Sequence, residues 1–481
     1  MSEQAELARK VVDASALPGR AAALETVLDT VDPQDWIALD LGMRQMTWYG
    51  SGLPSVAWVH AGEPPADEAS FAVALCHPDG RIRQAALTAG ASVPALLPLV
   101  AVRCADWVAP VREQARALLR AALPGAAPRT VAEVTAVALR AAGRRHGAYA
   151  HDHLVETLRN ADDELTGTLT SSRDRATCRL GHRVAIDQGR FSAAGLARIA
   201  ATHEDVVVRD LCADAALARA ATAAEYAEIV RPLLGSRHSR VRAAGVTALN
   251  RTAGVKEATA FLTDRSGVVR ACARWVLRQH GVDPLPHYRA VCAGPHRAVS
   301  PGAAAGLGES GTTTDTDLLR RLLVHPTGAV RARAVAGLRA LGTVEPEQLR
   351  PLLADPSAAV VREVSLALVP TAARLSELLL WERLAPDRPP HIRAAAYRLL
   401  SAHRSTVRLR CHLTLLDDAD PGLRAQARAA AVRWAPADAA SAYAALPAAE
   451  RAHLDALIDR AAPALGGTAT ARLRWYLTVG R

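Results

Sequence analysis

Three histidines crowd into GRRHGAYAHDHL, at His146, His151 and His153, with Asp152 between the last two. Imidazole and carboxylate are ordinary metal ligands, but one helix brings ligands together at i and i+4, and gaps of five and two do not. A polar surface between helices is expected there, and no metal is assigned. Arginine precedes tryptophan at Arg274–Trp275, Arg433–Trp434 and Arg474–Trp475. A cation beside a π-face is the combination that binders of single-stranded nucleic acid use, and core packing of the indole competes with it. The pairs Arg112/Arg116, Arg175/Arg179, Arg270/Arg274 and Arg424/Arg428 each share a helix face, which makes an interrupted basic stripe. Arg116, Arg179, Arg274, Trp275, Arg428 and Trp434 are thus the candidate partner-binding residues.

No GxxxxGK[ST] loop, GxSxG elbow or dinucleotide fingerprint is present, and the Gly-rich run PGAAAGLGESG (301–311) follows no strand. It reads as a worn repeat plus loop, with TTTDTD (312–317) supplying caps for the next helix. The seven cysteines are odd in number and contain no CxxC, so they read as reduced thiols. No catalytic set emerges, and neither an enzyme nor a cofactor is expected.

The elements that carry these residues repeat. HPDGRIRQAAL (77–87), DRSGVVRACARWVL (264–277), HPTGAVRARAVAGL (325–338), DRPPHIRAAAYRLL (387–400) and DADPGLRAQARAAA (418–431) each run turn, apolar residue, arginine, helix former. The anchors are Arg83, Arg112, Arg209, Arg242, Arg270, Arg331, Arg362, Arg393 and Arg424, with Arg144, Arg175 and Ser300 filling the wide gaps. A period near 31 residues indicates stacked helical hairpins. Three residues past each anchor stands a small side chain, among them Cys178, Cys212, Ala273 and Ala334, which lets two helices approach closely. Helix A ends at an Asp-, His- or Pro-containing turn and helix B starts just before the arginine. Asp106, Asp264, Asp355, Asp387 and Asp418 are placed to accept from free N–H groups at the start of helix B.

The turn Asp355–Pro356, the Val-Arg pairs and the small residue at +3 resemble the HEAT-repeat family, including the short bacterial repeats of the phycobilin-lyase type. The resemblance covers about residues 67–435. It implies an all-α fold, an α-solenoid (superhelix) of about twelve HEAT-like hairpins, in which turn aspartate and helix-B arginine pair along the stack. Iron-dependent hydroxylases on such repeats use several His-Glu dipeptides, and here the only one is His203–Glu204. HEAT-like DNA glycosylases use a basic concave face with tryptophans and one aspartate, but Asp106–Trp107 falls in a turn. The repeat carries the lyase name without its chemistry.

Residues 1–62 lack the anchor and hold Trp36, Trp48, Tyr49 and Trp58, which suits a helical cap over the open end of the stack. Gly50–Pro54 reads as a loop, and the repeats are taken to begin near 62–67. The expected organisation is a cap at 1–62, a solenoid at 63–435 and a second helical cap at 436–481. Half of the 481 residues are hydrophobic and 4% aromatic, which favours helix over a β architecture. No apolar run is long enough for a membrane span, and the opening MSEQAELARKVVDAS lacks a leader's apolar core. A cytoplasmic location without a membrane partner is expected. Residues 1–100 carry 6 basic and 12 acidic side chains and the remainder 52 and 36, for a net +10. Only Lys10 and Lys256 are lysines, and a high-GC coding sequence would give the same arginine bias. A long solenoid surface with no catalytic set fits a scaffold that binds a protein partner, one of acidic character, on its concave, arginine-rich face, with a nucleic-acid-binding protein, including a relative of the DNA glycosylases, as the alternative.

Overall fold

Pro at the first helical positions, Asp or Ser caps and alanine-rich interiors favour short helices throughout, and helix is what forms. The computed structural model describes residues 3–15, 32–48, 67–89 and 94–479, and among these it contains helices and turns but no strand. The chain is an all-α solenoid of HEAT-like hairpins. It divides into two compact units, Met1–Ala244 and Gly245–Arg481.

In each unit the B helices pack on one another in sequence order. In the first, Gly80–Ala89 lies against Ala109–Ala122, and Arg175–Asp187 against Val206–Arg219. In the second, Gly267–Gln279, Pro301–Ser310, Gly328–Ala340, Ala358–Leu368 and Pro390–Ser401 form a continuous row. The small +3 residues lie on these packed helices: Ala115, Cys212, Ala273 and Ala334 are completely buried. The Gly-rich run is helix B itself, Pro301–Ser310, rather than partly loop. Its glycines answer to packing, because a Cβ on Gly308 would lie 2.4 Å from the Cα of Gly337 in the neighbouring helix. Thr312 then makes the expected cap, in a reciprocal box with Asp315.

The anchor arginines hold the hairpins shut. Nη1 of Arg83, Arg112, Arg209, Arg242, Arg270, Arg331 and Arg424 donates to the carbonyl six residues earlier, at 2.5–2.9 Å. Those carbonyls lie in the turn after helix A, where backbone acceptors run out of partners, and a guanidinium there also meets the negative end of the helix. The far edge of the same guanidinium takes the acid of the next hairpin in Arg83 with Asp106 and Arg331 with Asp355, and Arg393, which closes its own hairpin through Nε to Leu384 O at 3.0 Å instead, likewise takes Asp418. Each of these aspartates, and Asp264, accepts the amide two residues on, at 2.7–2.9 Å. Asp387 does not, because the residue two on is Pro389, which has no N–H.

Four anchors stand elsewhere. Arg175 opens its helix behind the cap Asp174, and the amide that bonds back to the cap carbonyl, as Arg83's does, belongs to Cys178. Ser300 is itself a cap, its hydroxyl accepting from Ala303 N. Arg362 is displaced by one residue: Val361 N makes the bond to Ser357 O, and Arg362 turns outward to Glu363. Arg144 lies in a turn and reaches Asp40.

Near the N-terminus, Trp36 is buried with Leu39 and Met43 in one cluster with Ala8 and Val11. Trp48's side chain, Tyr49, Trp58, the loop 50–54 and, of the expected boundary near 62–67, all but Asp67 lie outside the described residues. The last helices, Ala439–Ala444, Ala448–Leu465 and Gly467–Thr478, close over Trp434, Leu454, Ile458 and Leu473. No helix of the described residues is long and apolar enough to cross a membrane.

Candidate functional site

Most of the predicted stripe is engaged within the stack. Arg179 grips Asp205 with Nε and Nη2 at 2.9 and 2.8 Å, and these hydrogen bonds hold the Asp205 carboxyl down at about 2. Arg179 thereby replaces the displaced Arg175 as the partner of the next hairpin's acid. Arg274 donates to Glu309 at 2.7 Å, and Glu309 also receives Arg270. Burial raises the Glu309 carboxyl, but the two guanidiniums bring it below its ordinary value. Arg116 donates to Cys104 O at 3.3 Å, and its guanidinium carbon sits 4.5 Å from the centre of the Tyr149 ring. Arg428 is exposed and has no hydrogen bond or ion pair to another described residue.

The tryptophans divide. Trp275 and Trp475 are 43% and 45% exposed. Trp434 is 3% exposed, with its indole N–H donated to Ser405 O at 3.2 Å and Tyr476 edge-on. This corrects its assignment to a binding surface, since the ring is a core element with no open face.

His146, His151 and His153 remain apart in their roles: His151 bonds the adjacent Asp152, and His153 stacks on Tyr149. A different group converges, Cys178, His182 and His203, whose ligand atoms lie within 4.8 Å of one another. Cys178 and His182 are one turn apart, and His203 arrives from the next hairpin, 25 residues away, which is why inspection of local spacing misses it. Thiolate and imidazole would suit zinc. The hydrogen bonds point to a neutral cluster. Cys178 Sγ donates to Thr170 O at 3.1 Å, and His182 Nδ1 donates to Cys178 O at 2.9 Å. His203 Nδ1 accepts from Asp205 N at 3.0 Å, which assigns the proton to Nε2, the nitrogen facing the sulfur at 3.9 Å. The same turn recurs at His77 and His325, each accepting at Nδ1 from the amide two on, so His203 occupies a structural position of the repeat. Burial pushes the Cys178 thiol up and His182 down, each in the direction that favours its uncharged form.

A second constellation surrounds Trp107 at the turn Ala105–Trp107. Asp106 is buried and receives Arg83 Nε and Nη2 and Arg103 Nη1, each at 2.9 Å, as well as Val108 N. Every acceptor direction is used, so Asp106 cannot serve as a catalytic base. Arg103, equally buried, bridges to Asp40 on the helix Pro33–Trp48. Asp40 also receives both 3.1 Å contacts of Arg44 Nη2, and Arg144 at 3.4 Å. Burial raises the Asp40 carboxyl, and Arg103, Arg44 and Arg144 together bring it below its usual value. Trp107 is 53% exposed, with the guanidinium carbons of Arg44 and Arg83 at 4.1 and 4.3 Å from its ring centre. A cavity of about 320 Å³ opens here, its polar lining formed by Asp40, Arg44, Arg103, Asp106, Trp107, Arg144, Arg145 and His146. The sequence held one sign of it, the i, i+4 and i, i+3 spacings of Asp40/Arg44 and Arg103/Asp106.

No protein-family model matches the chain, and no curated protein matches it. Among solved structures it is similar to Kap121p, at 12% identity and a TM-score of 0.33, over 83% of this chain and 53% of that one. The complex of Kap121p bound to Nup53p gives 12% and 0.32 over the same shares. The E. coli protein YibA gives 14% and 0.24, over 57% of this chain and 94% of YibA. The chain spans about half the length of the Kap121p structures it matches. At that distance, function rests on the chain's own side chains.

Proposed function

We propose that the chain is a non-enzymatic HEAT-like scaffold that binds an acidic protein partner on its arginine-rich helix-B surface, with helical caps at 1–62 and 436–481. The observation that carries this reading is the exposure of Trp275 and Trp475, two of the largest apolar side chains left at the surface. Exposed tryptophan and arginine are the residue types that anchor protein interfaces. The groups able to do chemistry are already satisfied: both Asp106 oxygens are held by arginines, and Cys178, His182 and His203 bond to one another and to backbone. Trp275 and Arg428 from the predicted set remain part of the proposed surface, whereas Arg116, Arg179 and Arg274 chiefly support the stack.

Affinity capture on the full chain, with nuclease treatment as control, followed by rebinding of the purified partner to Trp275→Ala and Trp475→Ala, tests this. A partner that survives nuclease and rebinds at least tenfold more weakly to one of the variants supports it. Loss of every partner with nuclease favours nucleic acid, which the net charge of +10 also accommodates.

A further inference from the structure

Among the described residues, four guanidiniums share two carboxylates: Arg44, Arg103 and Arg144 at the cavity, with Arg83 behind it, bond to Asp40 and Asp106. Arg145 adds a fifth positive charge at the rim of the same cavity, exposed and with no side-chain hydrogen bond or ion pair to another described residue. Glu113, the other carboxylate acting on His146, is already held by Arg112 and Arg116 at 3.4 and 3.3 Å. Arg103 Nε is buried without a partner. A surplus of positive charge in a partly enclosed, low-dielectric recess attracts an anion far more strongly than the same charges spread over a surface.

We propose that this recess seats an oxyanion, a carboxylate or a phosphate group, carried by a side chain of the protein partner. Arg144 and Arg145, adjacent in one turn, supply the donors at the mouth, and planar guanidiniums match both groups by paired N–H contacts. Trp107 acts on the protein's side of the contact. Two guanidiniums are already packed within 4.3 Å of its ring centre, so the indole holds arginines in place and is poorly disposed to stack on a nucleobase. The volume of about 320 Å³ suits one acidic side chain and its waters. This inference rests on the scaffold reading, but it concerns a different surface from Trp275 and Trp475.

The test uses the full chain at low ionic strength with three probes: inorganic phosphate, a hexaglutamate peptide and oligothymidylate. Binding is followed by calorimetry and by the fluorescence difference between the parent and Trp107→Phe. Saturable binding of phosphate and hexaglutamate is expected, weakened roughly tenfold by Arg145→Gln and again by Arg144→Gln. Arg145→Gln should melt like the parent, since the exposed Arg145 side chain makes no bond to another described residue. The proposal is overturned if phosphate and hexaglutamate show no saturable binding, or bind both arginine variants as they bind the parent. Competition by oligothymidylate with no binding of hexaglutamate overturns the assignment to a polypeptide. The Trp275 and Trp475 variants report on the scaffold reading independently of all these outcomes.

Discussion

Arg83 and Asp106 stand 23 residues apart in successive hairpins, both fully shielded from solvent, joined by two parallel N–H contacts at 2.9 Å. The third guanidinium nitrogen of Arg83 closes its own hairpin through the carbonyls of His77 and Pro78. One side chain therefore performs two tasks, sealing the turn behind it and fixing the register of the hairpin ahead. The same geometry recurs at Arg331, with Asp355 at 2.7 and 2.8 Å and the carbonyls of His325 and Pro326 behind.

Breaking one such link should be costly, because the acid that remains is buried and unpaired. Arg331→Gln is expected to destabilise the chain by about 3–5 kcal/mol. Arg362→Gln, at the displaced and largely exposed anchor, should change stability by less than about 1 kcal/mol. Urea unfolding of the two variants checks the contrast, and equal effects would show that the structural register is wrong.

Close helix contacts supply a second test. Leucine at Ala273 or Ala334, both without exposed surface, should overpack the interface and cost about 1–3 kcal/mol. Gly308→Ala is expected to do at least as much harm, because its new methyl meets backbone at Gly337 and cannot be accommodated by a rotamer change. Thermal melting of each variant against the parent measures this, and an unchanged melting temperature for all three would refute the packing scheme.

The fold was legible because its signals are periodic. Arginine, a preceding apolar residue and a small residue at +3 recur with the hairpin, so the architecture survives local errors. Those errors came where an anchor's type persisted but its register did not. Arg362 keeps the 31-residue spacing from Arg331, yet its backbone position is one past the structural anchor at Val361. Arg175 and Arg179 exchange roles for the same reason, since only the bond to Asp205 reveals which of them faces the next hairpin. The recess at Trp107 was illegible for a different reason. It joins Asp40, Arg103 and Arg144 across 104 residues, and no local spacing encodes such a meeting. Trp434 shows the limit of dipeptide arguments, because Arg433–Trp434 and Arg274–Trp275 look alike in sequence and differ completely in exposure.

Zinc distinguishes the two readings of Cys178, His182 and His203. With His203 Nδ1 accepting from Asp205 N, the lone pair needed for a metal at Nε2 is absent, and stoichiometric Zn²⁺ should leave the melting temperature unchanged at pH 7. A rise of several degrees that Cys178→Ser abolishes would establish a metal site instead.

Acid sensitivity should appear in a window set by buried histidine. His412 is 3% exposed, its Nδ1 is 3.3 Å from the hydroxyl of Tyr397, and burial, with Arg408 nearby, pushes it down to about 4 from the ordinary 6.5. In the unfolded chain the imidazole takes up a proton near 6.5, whereas in the folded chain it remains neutral, so acid favours unfolding. His182 and His403 are lowered by burial in the same direction. The stability that His412 contributes is complete above pH 6.5 and is lost as the pH falls towards 4, with a slope of about 1.4 kcal/mol per pH unit and a total on the order of 3 kcal/mol. The paired carboxylates act in a lower window, since Asp205 is held at about 2 and its contribution disappears only below 3.8. His412→Asn keeps a group able to bond Tyr397 but removes the titration. Unfolding free energies measured from pH 7.5 to 4.5 should therefore fall less steeply for His412→Asn than for the parent, and identical slopes would remove His412 as the source.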